Sequence, residues 1–227
     1  MSTHIGKVFL VGAGPGDKEL ISLKGAKLLS KADCIIHDAL VNPALLEHAK
    51  PEAEIIFGGK KPRSHTMSQE AINQLLVQKA KEGKMVVRLK GGDPFIFGRG
   101  GEEATTLHEA GIIFEVIPGI SSVNAVPAYA GIPLTHREIS SSYSVFTGRS
   151  NPNQKVPDYP WDTIARTPGT KVLLMCVERF KDVADELIKH ELPASTPAAM
   201  ISWGTHGQPN SVSRPLGNLP HSAGARG

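Results

Sequence analysis

Cysteine, aromatic side chains and long apolar stretches are all scarce in this chain of 227 residues, and each scarcity closes off a class of protein. The two cysteines, Cys34 and Cys176, stand far apart, each inside an apolar run. That pattern reads as buried thiols in a reducing compartment, and a bridge between them has little to motivate it. No cysteine or histidine pair has the spacing of a zinc site, so no metal is expected. Aromatics make up 5% of the chain, and no Lys/Arg run is interleaved with them, which leaves nucleic-acid binding unsupported. No stretch reaches membrane-spanning length, and the opening MSTHIGKV lacks the apolar core of a secretory signal. The expectation is a cytoplasmic protein without a membrane partner. Neither charge sign dominates: the net charge of +3 suits an anionic small molecule, or simply solubility. Nucleophile-elbow, Walker A and kinase signatures are all missing.

Glycine, by contrast, is concentrated where it is informative. Residues 8–17 read VFLVGAGPGD and residues 86–103 read VVRLKGGDPFIFGRGGEE. Each is an apolar run that stops in glycines followed by an acid. Such a turn brings bare backbone close to a ligand at the carboxyl end of a buried strand. Gly12, Gly14 and Gly16 space as G-x-G-x-G with Pro15 where a helix should begin, so an ordinary NAD site is disfavoured.

Strand-like and helix-like runs alternate. Strands are expected at 8–11, 34–37, 54–57, 85–89, 114–117, 143–147, 171–177 and 198–202. Helices are expected at 20–32, after Ser68 to Gly83, and at 102–110, 121–130 and 181–190. Alternation of this kind predicts an α/β fold with a largely parallel sheet. GIP at 131–133 punctuates it, which predicts two α/β domains, 1–133 and 134–227. From Thr205 onward the chain is dense in Gly, Pro, Ser and Asn. No core element is expected there, so the second domain reads as incomplete, with an open sheet edge beside 198–202.

Several motifs together resemble the uroporphyrinogen-III C-methyltransferase family of the tetrapyrrole methylase superfamily. They are VGAGPGD, IIHDALV at 35–41, GKKPRSH at 59–65, GGDPFIFGRGGEE at 91–103, VIPGISS at 116–122, GIPLTHR at 131–137, LLMCVER at 173–179 and PAAMISWGT at 197–205. The resemblance implies a homodimer that binds S-adenosyl-L-methionine in a cleft between its domains. It implies methyl transfer to two pyrrole carbons of uroporphyrinogen III, giving precorrin-2 by way of precorrin-1, for siroheme or cobalamin synthesis. It maps cofactor contacts onto Pro15, Gly91, Gly92, Asp93, Ile96, Ser121, Ser122, Met175 and Gly204, with the Asp93 carboxylate presented toward the cofactor.

The same resemblance maps a proton acceptor onto Asp38 and a proton donor onto Lys60. Arg99, Glu102 and Arg137 map as substrate residues. Arginine suits a substrate with eight carboxylates because its planar fork binds them bidentately. Glu102 would orient an arginine or meet a pyrrole N–H. Each position also has a plain structural reading: Asp38 as a turn aspartate, Ser121 as a helix cap, Met175 as core, and the arginines as surface charges. Two positions depart from the family pattern, Arg149 where histidine usually follows FTG and Cys176 where glycine commonly follows the methionine. Two other functions share these residues: methylation of a later corrin intermediate, and non-catalytic binding of a tetrapyrrole or of the methyl donor.

Overall fold

A computed structural model of the chain describes residues 5–59, 67–148, 156–206 and 210–219. The chain divides into two compact units, Met1–Ser122 and Val123–Gly227. The division falls after the first residue of the helix that GIP at 131–133 follows.

The first unit is a five-stranded sheet of β1 (Lys7–Gly12), β2 (Cys34–His37), β3 (Glu54–Phe57), β4 (Met85–Lys90) and β5 (Phe114–Ile117). The strands lie in the order β3-β2-β4-β1-β5, all parallel. The connection after β1 runs toward β2 on one side, whereas those after β3 and β4 run toward the other. Right-handed crossovers in opposite directions put their helices on opposite faces. One face is accordingly covered by α1 (Leu23–Leu29) and a 3-10 turn at Pro43–His48, through Leu29 and Leu45. The other is covered by α2 (Gln69–Lys81) and α3 (Gly100–Glu109), through Ile72, Leu76 and Leu107. With both faces covered, β1 and β4 are buried at nearly every position, which is why β1 reads as a nearly unbroken apolar run and β4 as one interrupted only by Arg88 and Lys90.

Local signals set the boundaries. The Ser68 hydroxyl accepts from Ala71 N and caps α2. The expected helix at 20–32 is shorter, because Asp17 caps a separate 3-10 turn and Ser22 starts α1.

The second unit contains α4 (Ser122–Tyr129), whose first residue belongs to the first unit. It holds a parallel pair, β6 (Tyr143–Thr147) with β7 (Thr170–Leu174), and an antiparallel pair, β8 (Pro197–Ser202) with β9 (Asn210–Pro215). Its core gathers Trp161 and Ile164 of α5 (Trp161–Arg166), Val183 and Leu187 of α6 (Phe180–Lys189), and Leu216. Helix α5 lies between the strands expected at 143–147 and 171–177, where the sequence shows no helix. The strand expected at 171–177 stops at Leu174, because Met175 turns out of it with φ 55°.

One edge of 198–202, expected to have no partner, is paired. Strand β9 pairs along the whole of β8, with Ala198 opposite Arg214 and Ile201 opposite Ser211. Leu216 and Leu219 then bury themselves, and Leu216 N donates to the Thr196 carbonyl at 2.8 Å. The sequence hid this because Val212 is the only β-branched apolar side chain in β9, and the leucines that bury themselves, Leu216 and Leu219, lie beyond the strand. Both cysteines are free and buried, one in each unit. Among the described residues no helix is long and apolar enough to cross a membrane, and no acidic, histidine or cysteine cluster could hold a metal ion.

Candidate active site

β1 and β4 are neighbours whose following connections leave in opposite directions, and such a switch point opens a crevice at the carboxyl edge of a parallel sheet. The two glycine turns meet there. Ala13 N donates to the Lys90 carbonyl at 2.7 Å. Gly92 N donates to the Gly14 carbonyl at 2.7 Å, and Gly14 N returns to the Gly92 carbonyl at 3.3 Å. Gly14 and Gly92 have φ of 81° and 68°, a region that side chains disfavour. The loop after β5 closes on the same point. A Cβ at Gly119 would overlap the Gly92 carbonyl oxygen, so this crossing tolerates only glycine. On the open side of Gly92, an added Cβ would meet nothing nearer than Ser121 Cα at 4.0 Å. Asn42, beyond β2, fixes the first turn by donating to the Gly16 carbonyl at 2.8 Å.

Asp93 binds the loops together. Its Oδ1 accepts from Phe95 N at 2.8 Å and its Oδ2 from Gly119 N at 3.0 Å. Each carboxylate oxygen thus accepts from a backbone N–H. Pro15, Gly91 and Ser122 are half-buried at the same edge, Ser121 is buried, and Ile96 is exposed on the loop between β4 and α3.

Asp38 follows β2 on the face covered by α2 and α3, with its N–H donating to the Leu89 carbonyl at 3.2 Å. Beside it lies an ionic cluster that the sequence reading passed over. Arg88 and Lys90 point from β4 to this same face and Glu103 reaches in from the first turn of α3. All three are essentially buried, with exposures of 1%, 1% and 0%. Glu103 Oε1 accepts from Arg88 Nε at 2.9 Å, Lys90 Nζ at 3.0 Å and Gln69 Nε2 at 3.1 Å. Arg88 donates its second terminal nitrogen to Asp38 Oδ1, while Asp38 Oδ2 stands 4.0 Å from Lys90 Nζ. Burial opposes the Arg88 charge, but Glu103 and Asp38 outweigh it and raise its pKa. Burial, then repulsion from Arg88, holds Lys90 below the ordinary lysine value. Two cations inside an otherwise apolar strand, VVRLK, are the signal that could have revealed this cluster, since buried charges require partners.

Arg99 sits at the N-terminal boundary of α3 with φ 58°, and donates to Glu102 through Nε at 2.8 Å and a terminal nitrogen at 2.7 Å. Glu102 and Arg99 are thus paired with each other. Both side chains are more than half exposed. Met175, Gly204 and Arg137 belong to the second unit. Met175 is exposed just past β7. Gly204 is buried, where a Cβ would come within 2.5 Å of Val126, so close packing alone requires glycine. Arg137 is exposed in a turn closed by His136 N donating to the Ser140 carbonyl at 2.7 Å. Lys60 and Arg149 lie outside the described residues.

The chain matches the model of the Tetrapyrrole (Corrin/Porphyrin) Methylases over residues 7–220. It is 50% identical over 215 residues to a uroporphyrinogen-III C-methyltransferase of Priestia megaterium, covering 95% of this chain and 90% of that protein. It is 50% identical over 226 residues to an S-adenosyl-L-methionine-dependent uroporphyrinogen III methyltransferase of Methanosarcina barkeri, covering 100% of this chain and 89% of that one. Among solved structures, the uroporphyrin-III C-methyltransferase of Thermus thermophilus complexed with S-adenosylhomocysteine is similar with a TM-score of 0.82. That match has 37% identity and covers 96% of this chain and 92% of the other. The chain belongs to the tetrapyrrole methylase family.

Proposed function

We propose that this chain is an S-adenosyl-L-methionine-dependent methyltransferase that methylates two pyrrole carbons of uroporphyrinogen III. The observation that carries the reading is the meeting of the two glycine turns at the switch point, in a chain half identical to enzymes of that name over nearly its full length. The junction suits a sulfonium ligand. It offers bare backbone on the open side of Gly92, with the acidic Asp93 and Asp38 at the same sheet edge.

When bound, the donor supplies an electrophilic methyl group, and methyl transfer to carbon needs that group held in line with the nucleophile. The residues of this chain do the holding. Gly14, Gly92 and Gly119 shape the floor, and Asp93 keeps the two loops at a fixed separation. Pro15, Gly91, Ile96, Ser121, Ser122, Met175 and Gly204 are the further proposed cofactor residues. Asp38 is the proposed proton acceptor and Lys60 the proposed donor. Arg99 and Arg137 are proposed to bind substrate carboxylates, with Glu102 fixing the Arg99 fork. A homodimeric, cytoplasmic enzyme is part of the same reading. The two reduced, buried cysteines fit that compartment, and light scattering tests the dimer.

The purified chain should convert uroporphyrinogen III and S-adenosylmethionine to a dimethylated product, identified by mass and by the absorbance of its oxidised form. No product would overturn the reading. Arg99→Lys and Arg137→Lys should each raise KM for the tetrapyrrole roughly tenfold through loss of a bidentate contact, with donor affinity unchanged. Unaltered KM in both would remove the carboxylate clamp.

A further inference from the structure

Arg88, Lys90 and Glu103 are an expensive way to fill the space between a sheet and a helix. Apolar residues of similar volume commonly serve stability as well as a buried ion cluster does, or better. The cluster reaches solvent through Asp38, whose side chain is 30% exposed while the Arg88 and Glu103 side chains are at 1% and 0%. It is therefore built around the one group in it that a substrate can reach.

The charges divide in a particular way. Two cations face two carboxylates, and Glu103 Oε1 engages both cations at hydrogen-bond distance. That contact orients Arg88 so that it reaches only one oxygen of Asp38. It also holds Lys90 Nζ 3.0 Å from Glu103 and 4.0 Å from Asp38 Oδ2, beyond hydrogen-bond distance. Without the Glu103 charge, both cations would have Asp38 as their only ionic partner among the described residues. Lys90 would then close on Oδ2, and the two cations would hold the carboxylate ionised against any incoming proton.

We infer that Glu103 is a positioning residue for Asp38: it anchors Arg88 against one oxygen and holds Lys90 away from the other, leaving that oxygen able to accept a proton. This rests on the reading of Asp38 as the proton acceptor. The step it serves is balanced. A ring electron pair forms the carbon–methyl bond, and the sulfur–methyl bond breaks with its pair on sulfur. The methylated carbon carries no hydrogen, so a C–H bond of the adjacent methylene bridge breaks: its proton passes to Asp38 Oδ2, and its electron pair restores conjugation. Gln69, donating to the same Glu103 oxygen from α2, fixes the anchor from the opposite side.

The test compares Glu103→Gln, Lys90→Met and the double variant with the unaltered chain. Turnover and KM are measured with uroporphyrinogen III and S-adenosylmethionine, and folding is followed by calorimetric binding of S-adenosylhomocysteine. Glu103→Gln should lower kcat at least about tenfold, within the range of a lost proton-transfer contribution, with KM and S-adenosylhomocysteine affinity within about twofold. Adding Lys90→Met removes the excess cation and should recover most of that loss. A purely structural Glu103 would instead make the double variant worse than either single one. Should Glu103→Gln fail to fold, the comparison is Lys90→Met against the double variant: equal kcat supports the inference, and a lower kcat in the double overturns it. Wild-type kcat in a folded Glu103→Gln also overturns it. Asp38→Asn separates the two layers: if it turns over normally, the reading of Asp38 falls, whereas loss in Asp38→Asn with normal Glu103→Gln removes only the positioning role.

Discussion

The two units handle their strands differently. In the first, β1 and β4 are sealed on both faces between two layers of helices, and even charged side chains in β4 are fully buried. In the second, the strands come as two separate pairs, and β6, β7 and β8 contain no fully buried position. There the buried core side chains come from α5, α6, the segment after β9 and Cys176 just past β7. The first unit is organised by its sheet and the second by its helices and its tail. A change that opens the sheet edge should therefore be most damaging in the first unit, and a change in a peripheral leucine should matter most in the second.

The largest expected effect is at the loop crossing. Gly119→Ala places a methyl group on the Gly92 carbonyl and must push two loops apart. We expect a loss of about 3 kcal/mol in urea unfolding, in the range of overpacked sites, together with loss of S-adenosylhomocysteine binding by calorimetry. Normal binding would mean that the crossing is not needed for the site. Next comes Leu219→Ala, which should cost about 2–4 kcal/mol by emptying a fully buried position. An unchanged unfolding midpoint would show that burial of Leu219 contributes nothing to stability. Hydrogen exchange across 210–215 would sharpen this, because a paired β9 protects its amides.

Asp93→Ala should cost about 1–3 kcal/mol by leaving two backbone N–H groups without their acceptor. Asp93→Asn keeps one acceptor oxygen and should fall between the alanine variant and the unaltered chain in both stability and S-adenosylhomocysteine affinity. An asparagine variant that folds normally but binds as weakly as alanine would return the carboxylate to direct contact with the ligand.

The smallest effect leaves the protein intact. Burial pushes both thiols up to about 11, and the Glu54 charge adds to it at Cys34. Raised pKa values keep the thiols protonated until pH approaches that range, so at pH 8 neither should react with Ellman's reagent in the folded protein. Because each unit holds one cysteine, titration with urea reports the opening of each separately. Cys176 should become reactive first. Simultaneous reaction would mean that the units open together.

The difference between the units also decides how much a sequence can disclose. Strands β2, β3, β5 and β6 stand where their apolar runs place them, and Ser68 announces α2 by a cap with a definite chemistry. The glycine turns were legible because bare backbone at a strand end has few purposes. Strand β9 was not, because its polar face and single valine carry no period, and its register depends on β8. Helix α5 hides behind prolines that read as loop. At the site, the resemblance pointed to Asp38 at the end of CIIH, whereas nothing in the sequence singled out Arg88, Lys90 and Glu103 as one cluster. A charge in a strand says that it needs partners, but which partners it finds is settled only when β2, β4 and α3 are packed together.

The strand order has a consequence in time. β1 leaves the ribosome first but pairs only with β4 and β5, which are made much later. The pairing of β2 with β3 can begin while β1 still has no neighbour. The loop crossing at Gly14, Gly92 and Gly119 is thus among the last features of the first unit to assemble. Because long-range closure of this kind is slow, a ligand that bridges the three loops would act as a latch on the finished sheet, and by mass action its supply would raise the share of newly made chains that stay folded.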